Sequence, residues 1–485
     1  MEALSVLPEA QLLRPLGDAQ VTGVAYDSRR AGPGDLFVAI RGEKSDGLQF
    51  AGEAVARGAV AVVSDRPMPP SWGAAAWIRV ESPRRALALL AAKIAGNPAE
   101  KLILAGVTGT NGKTTTTLLL RSLLATRYGS AGFMGTVGYS TGRRESAAPR
   151  TTPEAPVIQE LLAEMVSDRV RAAAMEVSSH ALTLDRVVGC RFDLTVFTNL
   201  THDHLDFHGG MEEYFQAKRM LFAMRKPGAP GVVNADDPYG TRLAREIEPP
   251  VVSFSPLDRN ADVRAQAIRC DLAETSFDVR HAAGVFRVVS PLAGRFHVEN
   301  LLAAAASGLA LGFPPEEISA ALAAVRQVPG RFERVEAGQA FPILVDYAHT
   351  PDALERLLLA IRDLTDKKIV LVFGCGGDRD RAKRFPMGRI AGRLADLPIL
   401  TSDNPRSEDP ESILDEVERG VVASGAERFL RVADRREAIA AAVAVADAGT
   451  VVVIAGKGHE TTQVIGGREL PFDDRRVAAE LLGRA

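Results

Sequence analysis

Short apolar runs alternate with segments of helical periodicity along nearly the whole chain. The apolar runs are three to six residues long and are bounded by polar and turn-forming residues. They occupy residues 36–40, 59–63, 102–107, 172–175, 194–197, 231–233, 343–345, 369–373, 398–400 and 451–454. Longer apolar stretches at 301–311 and from Ala438 onward indicate buried helices. Strands that alternate with helices predict α/β domains with largely parallel sheets.

Turn residues interrupt this alternation at two places. One is Gly-Asn-Pro-Ala at residues 96–99, and the other is Val-Pro-Gly-Arg-Phe-Glu at residues 328–333. A chain of 485 residues is long enough for about three domains. We therefore predict domains at residues 1–98, 99–330 and 331–485.

Composition and charge narrow the class of protein. Hydrophobic residues make up 46% of the chain and charged residues 25%, as in ordinary globular proteins. The net charge of −3 provides no basic surface of the kind that binds nucleic acid. The three cysteines, Cys190, Cys270 and Cys375, are too widely spaced for a metal motif or a disulfide framework. No leader-like segment and no run long enough to span a bilayer stands out, so we expect a cytoplasmic protein.

A glycine-rich turn separates the strand predicted at 102–107 from a helix predicted at 115–124. Its sequence is Val-Thr-Gly-Thr-Asn-Gly-Lys-Thr-Thr at residues 107–115. Backbone N–H groups of such a turn cradle phosphates, and the helix N-terminus adds a positive dipole end. Lys113 would reach the β- and γ-phosphates, and Thr114 would ligate Mg²⁺. The first glycine comes one residue early, at Gly106, but the order of elements still predicts a nucleoside triphosphate site.

Carboxylates and histidines follow two further predicted strands. Glu176 follows the run at 172–175, and Thr-Asn-Leu-Thr-His-Asp-His-Leu-Asp-Phe-His at 198–208 follows the run at 194–197. In α/β domains the carboxyl ends of the strands face the crevice where ligands bind. Glu176 could therefore hold Mg²⁺ beside a triphosphate, and one imidazole can join such a site. Zinc is conceivable at the histidines, but no cysteine or second histidine cluster completes a zinc site.

Lys218 lies in the middle of an apolar helix face. In the segment 211–224 the spacing of Tyr214, Phe215 and Phe222 defines that face. A desolvated lysine has a lowered pKa and becomes a nucleophilic amine. Such an amine can add CO₂ to give an anionic carbamate, whose oxygens could hold Mg²⁺. Periodicity alone favours a simpler interpretation, in which the ammonium group extends into water.

Three polar, turn-rich segments follow predicted strands in the last third of the chain. They lie at residues 374–384, 403–406 and 456–460. In a doubly wound sheet these segments would converge on one crevice. Arg379 and Arg406 could each hold a carboxylate by a bidentate contact, whereas Asp403 and Glu460 could hold an ammonium group. The combination predicts a zwitterionic ligand with an additional carboxylate.

Each feature also has a simpler interpretation when it stands alone. The glycine-rich turn could bind nothing, and Glu176 could be a helix cap or a surface charge. The histidine segment could be a polar loop, and the three late segments could be solvated loops. It is their combination that points to a function.

Taken together and in order, the motifs resemble those of the Mur ligase family, the ATP-dependent amino-acid-adding enzymes of peptidoglycan synthesis. The resemblance covers nearly the whole chain and includes the one-residue departure in the phosphate loop. The matching segments are residues 109–114, 176–180, 202–206, 214–218, 297–300, 330–333 and 346–351. The resemblance implies an α/β protein of three domains: a smaller N-terminal domain, a central phosphate-loop domain with a mostly parallel sheet, and a Rossmann-like C-terminal domain.

The resemblance also implies a role for each matching residue. The residues implied at the ATP site are Gly109, Thr110, Asn111, Gly112, Lys113, Thr114, Thr115, Asn300, Arg331 and Asp346. Those implied as catalytic are Lys113, Glu176, His204 and Lys218. Those implied to hold two Mg²⁺ ions are Thr114, Glu176, His204 and Lys218, the last as its carbamate (N6-carboxylysine). Those implied to bind a UDP-muramoyl-dipeptide are Ser28, Thr151, Thr152, Ser178, Arg186 and Lys218.

Within the family, Asp-Asn-Pro-Arg at 403–406 matches the branch that adds meso-2,6-diaminopimelate rather than L-lysine. The residues implied to bind that amino acid are Arg379, Asp403, Asn404, Arg406, Gly456 and Glu460. Diaminopimelate carries a carboxylate that lysine lacks, so lysine would leave Arg406 unpaired. The implied reaction joins diaminopimelate to UDP-N-acetylmuramoyl-L-alanyl-D-glutamate through an acyl phosphate formed from ATP. The implied partners are these small molecules alone, and the protein is expected to be a monomer.

Several alternatives stay open at this point. The same route could add L-lysine, or the chain could be a ligase like folylpolyglutamate synthase, which would lack the N-terminal nucleotide-sugar domain. A nucleotide switch would carry an Asn-Lys-x-Asp stretch, which this chain lacks. A relative that only binds cell-wall precursors would not need the catalytic residues present here. The chain departs from the family pattern at Leu48, where Asp-Gly-His is usual near the nucleotide-sugar pocket.

Overall fold

The computed structural model describes residues 2–7, 9–42, 45–73, 75–257 and 260–483. Packing divides the chain into two compact units. The first comprises Met1–Gln266, Val279–Phe286 and Glu299–Leu322, and the second comprises Ala267–Asp278, Arg287–Val298 and Ala323–Ala485. In the described ranges, no helix combines the length and the apolar run that a bilayer crossing requires. The domain boundaries near residues 98 and 330 remain predictions.

Strands and helices alternate from residue 11 to residue 324. The strands are β1 (Gln11–Arg14), β2 (Gly23–Ala25), β3 (Asp35–Val38), β4 (Ala61–Ser64), β5 (Ala76–Arg79), β6 (Ile103–Thr108), β7 (Ala131–Gly135), β8 (Gly138–Ser140), β9 (Glu145–Ser146), β10 (Ala172–Glu176), β11 (Leu194–Phe197), β12 (Gly231–Asn234), β13 (Val251–Ser255), β14 (Val263–Cys270), β15 (Thr275–His281) and β16 (Gly284–Ser290). The helices are α1 (Ala51–Ala56), α2 (Pro83–Ile94), α3 (Lys113–Tyr128), α4 (Ala155–Ser167), α5 (Ser179–Thr183), α6 (Leu205–His208), α7 (Met211–Arg219), α8 (Pro238–Glu246), α9 (Arg295–Ala310) and α10 (Pro315–Ala324).

The first unit contains two sheets. In the N-terminal sheet the order is β1–β5–β4–β3–β2, with β2 to β5 parallel and β1 antiparallel to β5. In the other sheet, β13–β12–β11–β6–β10–β7 are parallel, and β8 and β9 continue the sheet in antiparallel pairing. The mostly parallel sheet predicted for the phosphate-loop region is thus confirmed. Since β6 lies between β10 and β11, the loops after these three strands meet at one edge.

Helix α3 fixes the position of the glycine-rich loop. It begins at Lys113 because Gly112, at φ +82°, stands in the left-handed region, and it ends at Gly129. Leu119, Leu120 and Leu123 on its inner face are fully buried. Each such leucine stabilises the fold by about 1.5–3 kcal/mol relative to an exposed one. The start of the helix is therefore held firmly against the sheet.

The second unit is a doubly wound sheet with an added hairpin. Its strands are β17 (Glu333–Arg334), β18 (Ile343–Asp346), β19 (Lys368–Phe373), β20 (Leu397–Leu400), β21 (Leu430–Arg431), β22 (Thr450–Ala455), β23 (Thr462–Ile465) and β24 (Arg468–Pro471). Its helices are α11 (Pro351–Leu364), α12 (Arg384–Leu394), α13 (Pro410–Ala423), α14 (Arg435–Val445) and α15 (Asp474–Leu481). The order is β17–β18–β22–β19–β20–β21, parallel except for β17. Helices α11 to α13 pack on one face of this sheet and α14 and α15 on the other.

The apolar runs predicted as strands are strands in the structure, with ends that shift by one or two residues. Two of these strands end in a predicted site residue, because Glu176 is the last residue of β10 and Asp346 is the last residue of β18. The helix predicted over 211–224 is α-helical to Arg219 and continues as a 3₁₀ helix over Met220–Met224.

An ion pair between Arg435 and Asp474 lies inside the second unit, and neither side chain is exposed. Arg435 Nε and Nη2 donate to the two carboxylate oxygens at 2.7 Å each. Removal of one partner leaves the other charge buried and uncompensated, which typically costs about 3–5 kcal/mol. We therefore expect Asp474→Asn to lower the free energy of unfolding by several kcal/mol, measured by urea denaturation. The control is Glu480→Gln, which removes the exposed pair with Arg436 and should cost at most about 1 kcal/mol; equal effects of the two variants would contradict the prediction.

Candidate active site

Two glycines give the phosphate loop its shape. Gly109 has φ +154°, and a Cβ there would lie 1.9 Å from Thr198 Oγ1. Gly112 has φ +82°, and a Cβ there would lie 2.3 Å from Asn300 Oδ1. Any other residue would clash at both positions, so the turn requires glycine twice. The same contacts bring the predicted ATP-site residue Asn300 against the loop.

The segment after β11 holds the loop in place. Asn111 N donates to Asn199 Oδ1 at 2.9 Å, and Thr198 Oγ1 donates to the Asn111 carbonyl at 2.6 Å. Thr110 N donates to the Asn199 carbonyl at 2.9 Å. Sequence reasoning gave neither Thr198 nor Asn199 a role; both belong to the 198–208 segment, where the signal came from its histidines and aspartates. These contacts fix the conformation of the loop.

The lysine and threonines of the loop lie at the start of α3. Lys113 Nζ donates to the carbonyls of Gly109 at 3.0 Å and Thr110 at 2.9 Å, so it lies folded over the loop. Thr114 and Thr115 are buried. Thr116 Oγ1 donates to Asn300 Oδ1 at 3.3 Å. The loop residues predicted at the ATP site are therefore brought together, with a cation above the place where phosphates would bind.

Glu176 is fully buried next to the loop. Its Oε2 accepts from Thr114 Oγ1 at 3.1 Å and from Thr136 Oγ1 at 3.2 Å. Its Oε1 accepts from Thr136 N at 2.7 Å. Among the described residues, no group of three or more His, Cys, Asp or Glu side chains could hold a metal ion. Two hard oxygen donors still fit Mg²⁺, which commonly takes one or two protein ligands and completes its shell with substrate phosphates and water.

Lys218 does not extend into water. Its side chain is 1% exposed, and Nζ donates to the Gly109 carbonyl at 2.7 Å. Nζ also lies 4.4 Å from the centre of the Tyr214 ring. Burial, and then the charge of Lys113, lower the pKa of Lys218 well below its usual range. The interpretation that periodicity alone favoured is wrong, because the polar partner of this amine is a carbonyl of the phosphate loop.

His204 lies among other aromatic rings near the two lysines. It has φ +53° at the start of α6, and its ring centre is 4.8 Å from that of His180. Burial lowers the pKa of His204 and lowers that of His180 to about 4. Both rings are therefore neutral at neutral pH, the form of imidazole that binds metals. The histidine segment is a structured edge of the site rather than an isolated polar loop.

Four of the residues predicted to bind the muramoyl-dipeptide lie in one network beside Glu176. Thr152 Oγ1 donates to the Glu176 carbonyl at 2.8 Å and accepts from Ser178 N at 3.1 Å. Arg186 Nη1 donates to the Thr152 carbonyl at 3.2 Å, and Thr151 Oγ1 lies 3.0 Å from Thr136 Oγ1. Arg186 is paired with Glu154 at 3.0 Å. This network can offer a cation and several hydroxyl groups to an anionic ligand.

Ser28, the fifth of these residues, begins the short 3₁₀ helix Ser28–Arg30 that follows β2 of the N-terminal sheet. Its hydroxyl donates to Glu53 Oε2 at 2.9 Å. At the position where the family pattern has histidine, Leu48 N donates to Asp46 Oδ1 at 3.1 Å. Asp46 Oδ2 pairs with Arg66 at 2.7 Å.

In the second unit, the three late segments meet as the strand-end argument predicts. Arg406 Nη1 donates to the Gly377 carbonyl at 2.7 Å, which joins the first two segments. Asn404 Nδ2 donates to Glu460 Oε2 at 3.0 Å, which joins the second and third. A Cβ at Gly456 would lie 3.5 Å from Asp403 Oδ2. The three clusters therefore form one site at the carboxyl ends of β19, β20 and β22.

The cations of this amino-acid site differ in how firmly they are held. Arg406 is half-buried with φ +55°, and its N–H donates to the Val464 carbonyl at 2.9 Å. In the described part of the chain, its Nε and Nη2 make no hydrogen bond, so these two donors are available for a bidentate contact with a carboxylate. Arg379 is exposed, and its Nη1 donates to the Asp378 carbonyl at 3.2 Å. Arg406 is the better-positioned carboxylate ligand.

Arg331 and Asp346, the other two residues predicted at the ATP site, belong to the second unit. The Arg331 guanidinium lies 5.0 Å from the centre of the Tyr347 ring. Asp346 accepts from Phe332 N at 2.7 Å and from Ala348 N at 2.8 Å. Burial raises the pKa of Asp346. Asp346 thus ties the 330–333 segment to the end of β18 and holds Arg331 beside Tyr347.

Comparison with known proteins agrees with this geometry. The family models that match are "Mur ligase family, catalytic domain" at residues 20–94, "Mur ligase middle domain" at 107–308 and "Mur ligase, glutamate ligase domain" at 330–458. A relative from Solibacter usitatus, a UDP-N-acetylmuramoyl-L-alanyl-D-glutamate–2,6-diaminopimelate ligase, is 45% identical and covers 98% of this chain and 97% of its own. A solved structure of a ligase of the same name is 33% identical, with a TM-score of 0.73 over 100% of this chain and 99% of its own.

A folylpolyglutamate synthase has a similar fold. The ADP complex of the Mycobacterium tuberculosis enzyme aligns with a TM-score of 0.62 at 19% identity, and covers 81% of this chain and 93% of its own. At that identity the likeness shows the fold alone. With matching models along most of its length and a near full-length relative at 45% identity, the chain belongs to the Mur ligase family.

Proposed function

We propose that the protein is an ATP-dependent ligase that joins meso-2,6-diaminopimelate to UDP-N-acetylmuramoyl-L-alanyl-D-glutamate, in cytoplasmic synthesis of peptidoglycan precursors. The observation that carries the proposal is the site at the ends of β19, β20 and β22. Within the described residues, Nε and Nη2 of Arg406 make no hydrogen bond there; Arg406 contacts the Asn404 carbonyl, and the Asn404 side chain is bonded to Glu460. A guanidinium next to a carboxylate matches the zwitterionic far end of diaminopimelate. Two relatives that are 45% and 46% identical to this chain are named for this reaction.

The reaction has two chemical steps. The γ-phosphoryl group of ATP passes to the terminal carboxylate of the muramoyl-dipeptide, which gives an acyl phosphate and ADP. The amine of diaminopimelate then attacks the acyl carbon, phosphate leaves, and an amide forms with loss of a proton. Phosphoryl transfer depends on position and charge neutralisation more than on covalent chemistry. The loop N–H groups and Lys113 would hold the phosphates in line, and Thr152, Ser178 and Arg186 would hold the dipeptide.

Thr114 and Glu176 would bind Mg²⁺ together with the triphosphate. The ion, when bound, neutralises charge that develops on the transferred phosphoryl group. Glu176 is kept ready for this by Thr136, which donates to both of its oxygens. His204 would be a further ligand from the loop after β11. The proposal also includes a second Mg²⁺ ion, which Lys218 would help to hold.

The proposal includes a carbamate on Lys218. A lowered pKa increases the neutral fraction of the amine, and only the neutral amine adds CO₂. The addition of CO₂ to the neutral amine forms an N–C bond and releases one proton, which converts the buried neutral amine into an anion. Lys218 lies against the Gly109 carbonyl, so an anion there would gain a cationic neighbour in Lys113. The support is the burial and position of the amine.

The alternatives are less well supported. Addition of L-lysine would leave the two free donors of Arg406 without a partner. A folylpolyglutamate synthase-like activity does not account for the sheet of β1 to β5 or for the Asp-Asn-Pro-Arg segment. The names of the near full-length relatives favour diaminopimelate.

Isotope transfer tests the proposed reaction directly. The muramoyl-dipeptide is labelled with ¹⁸O in its terminal carboxylate and incubated with ATP, Mg²⁺ and diaminopimelate. An acyl phosphate passes one labelled oxygen to the released phosphate, which mass spectrometry detects. Amide formation with unlabelled phosphate would exclude this route.

A further inference from the structure

Lys457 is buried inside the amino-acid site, and the roles discussed so far do not include it. Its side chain has no exposed surface. Nζ donates to Asn404 Oδ1 and to Glu460 Oε2, both at 3.1 Å, and lies 3.9 Å from Asp403 Oδ1. A buried ammonium group is costly unless it is well paired, and a hydrophobic residue often serves stability equally well. The burial of the Lys457 ammonium group therefore needs an explanation other than stability.

The first effect of Lys457 is on the orientation of the Asn404 amide. Asn404 Oδ1 accepts from Lys457 Nζ and from Val464 N, the latter at 3.0 Å. Asn404 Nδ2 donates to Glu460 Oε2 at 3.0 Å. A flipped amide would place its NH₂ group against two donors and lose all three bonds. Lys457 thus fixes which end of the amide faces Glu460.

The second effect is on the Glu460 carboxylate. Lys457 and Asn404 both donate to Oε2. Within the described ranges, Oε1 of Glu460 makes no hydrogen bond, and the side chain is 34% exposed. The carboxylate is therefore anchored through one oxygen, and its other oxygen remains available to a ligand. An ammonium group is the natural partner for that oxygen.

We propose that Lys457 is a positioning residue of the amino-acid site, which orients Glu460 directly and through Asn404, so that the other Glu460 oxygen can receive the non-reacting ammonium group of diaminopimelate. This inference rests on the proposed function. Lys457 does not touch the substrate in this account; it acts through Glu460, which does. Its loss should weaken binding of the amino acid and leave the binding of ATP and of the muramoyl-dipeptide unchanged.

Steady-state kinetics of Lys457→Met test this inference. We expect the KM for diaminopimelate to rise about 10-fold or more, as for loss of a charge-assisted contact, with the KM for ATP and for the nucleotide-sugar substrate within about 2-fold of wild type. Lys368→Met, at an exposed lysine that begins β19, is the control and should change none of the three. If Lys457→Met does not fold, Lys457→Gln, which retains a donor, should give a smaller rise of the same kind.

A double-mutant cycle separates positioning from a merely structural role. In a Glu460→Gln background, Lys457→Met should raise the KM for diaminopimelate by less than about 3-fold, because its target is already lost. An unchanged KM for diaminopimelate, equal rises for all three substrates, or full additivity with Glu460→Gln would overturn the inference. If the wild-type enzyme does not use diaminopimelate, the proposed function fails first. If it does and Lys457→Met behaves as wild type, only this inference fails.

Discussion

Replacement of Lys218 by alanine should lower kcat by about 10³-fold, the upper end of the range seen when a preorganised electrostatic group is removed from a reaction centre. The amine is fully buried and lies 2.7 Å from the Gly109 carbonyl oxygen. Alanine removes the amine and with it the electrostatic contribution of this side chain. The KM for diaminopimelate should change little, since that amino acid is bound by other residues. Phosphate release under saturating substrates measures the effect.

The control is Lys226→Ala, at a lysine of the same unit that pairs with Asp193 at 2.9 Å and is partly exposed. It should retain nearly full kcat. The carbamate itself predicts that wild-type activity falls in CO₂-depleted buffer and returns when bicarbonate is added. A fully active Lys218→Ala enzyme would contradict both the carbamate and the assignment of Lys218 to the reaction centre.

Replacement of Arg406 by alanine has the second-largest expected effect, a fall in kcat/KM for diaminopimelate of about 10²–10³-fold. A bidentate contact between guanidinium and carboxylate is strong and directional, and alanine removes both donors. L-Lysine lacks the carboxylate, so its kcat/KM should stay near the low wild-type value. The ratio of kcat/KM for diaminopimelate to kcat/KM for L-lysine, compared between wild type and variant, measures the selectivity that Arg406 provides.

Arg379→Ala is the matched control for this prediction. Arg379 follows the neighbouring strand but is exposed, and among the described residues its side chain bonds only the Asp378 carbonyl, so its loss should cost about 10-fold or less. Equal losses with diaminopimelate and lysine in Arg406→Ala would show that the residue supports the loop rather than reads the carboxylate. Arg406 also bonds Gly377, so a melting curve of the variant should accompany the kinetics.

Much of the fold follows from the sequence pattern. Apolar runs identify the strands because a parallel sheet buries both of its faces, as in β6, β10 and β19. The carboxyl ends of those strands then locate the chemistry, which is why Glu176 and the 403–406 segment are found where the strand-end argument places them. The glycines of the phosphate loop can also be identified from local sequence, because they lie between a predicted strand and a predicted helix.

The pattern of apolar and polar positions does not reveal which residue, distant in the chain, contacts each side chain. Lys218 is indistinguishable by periodicity from a lysine that reaches water, because its partner, Gly109, is remote in the chain. The same holds for Lys457, whose partner Asn404 follows a different strand. Thr198 and Asn199 support the loop through contacts that no spacing rule predicts. Local pattern encodes buried faces, whereas these roles depend on tertiary contacts.

The measurement that tests the central claim most directly is phosphate release by the wild-type enzyme with UDP-N-acetylmuramoyl-L-alanyl-D-glutamate, ATP and Mg²⁺, with meso-diaminopimelate compared with L-lysine. We expect rapid release with diaminopimelate and little with lysine, accompanied by the corresponding amide product. A preference for lysine would contradict the role of Arg406, and no release with either amino acid would contradict the proposed reaction.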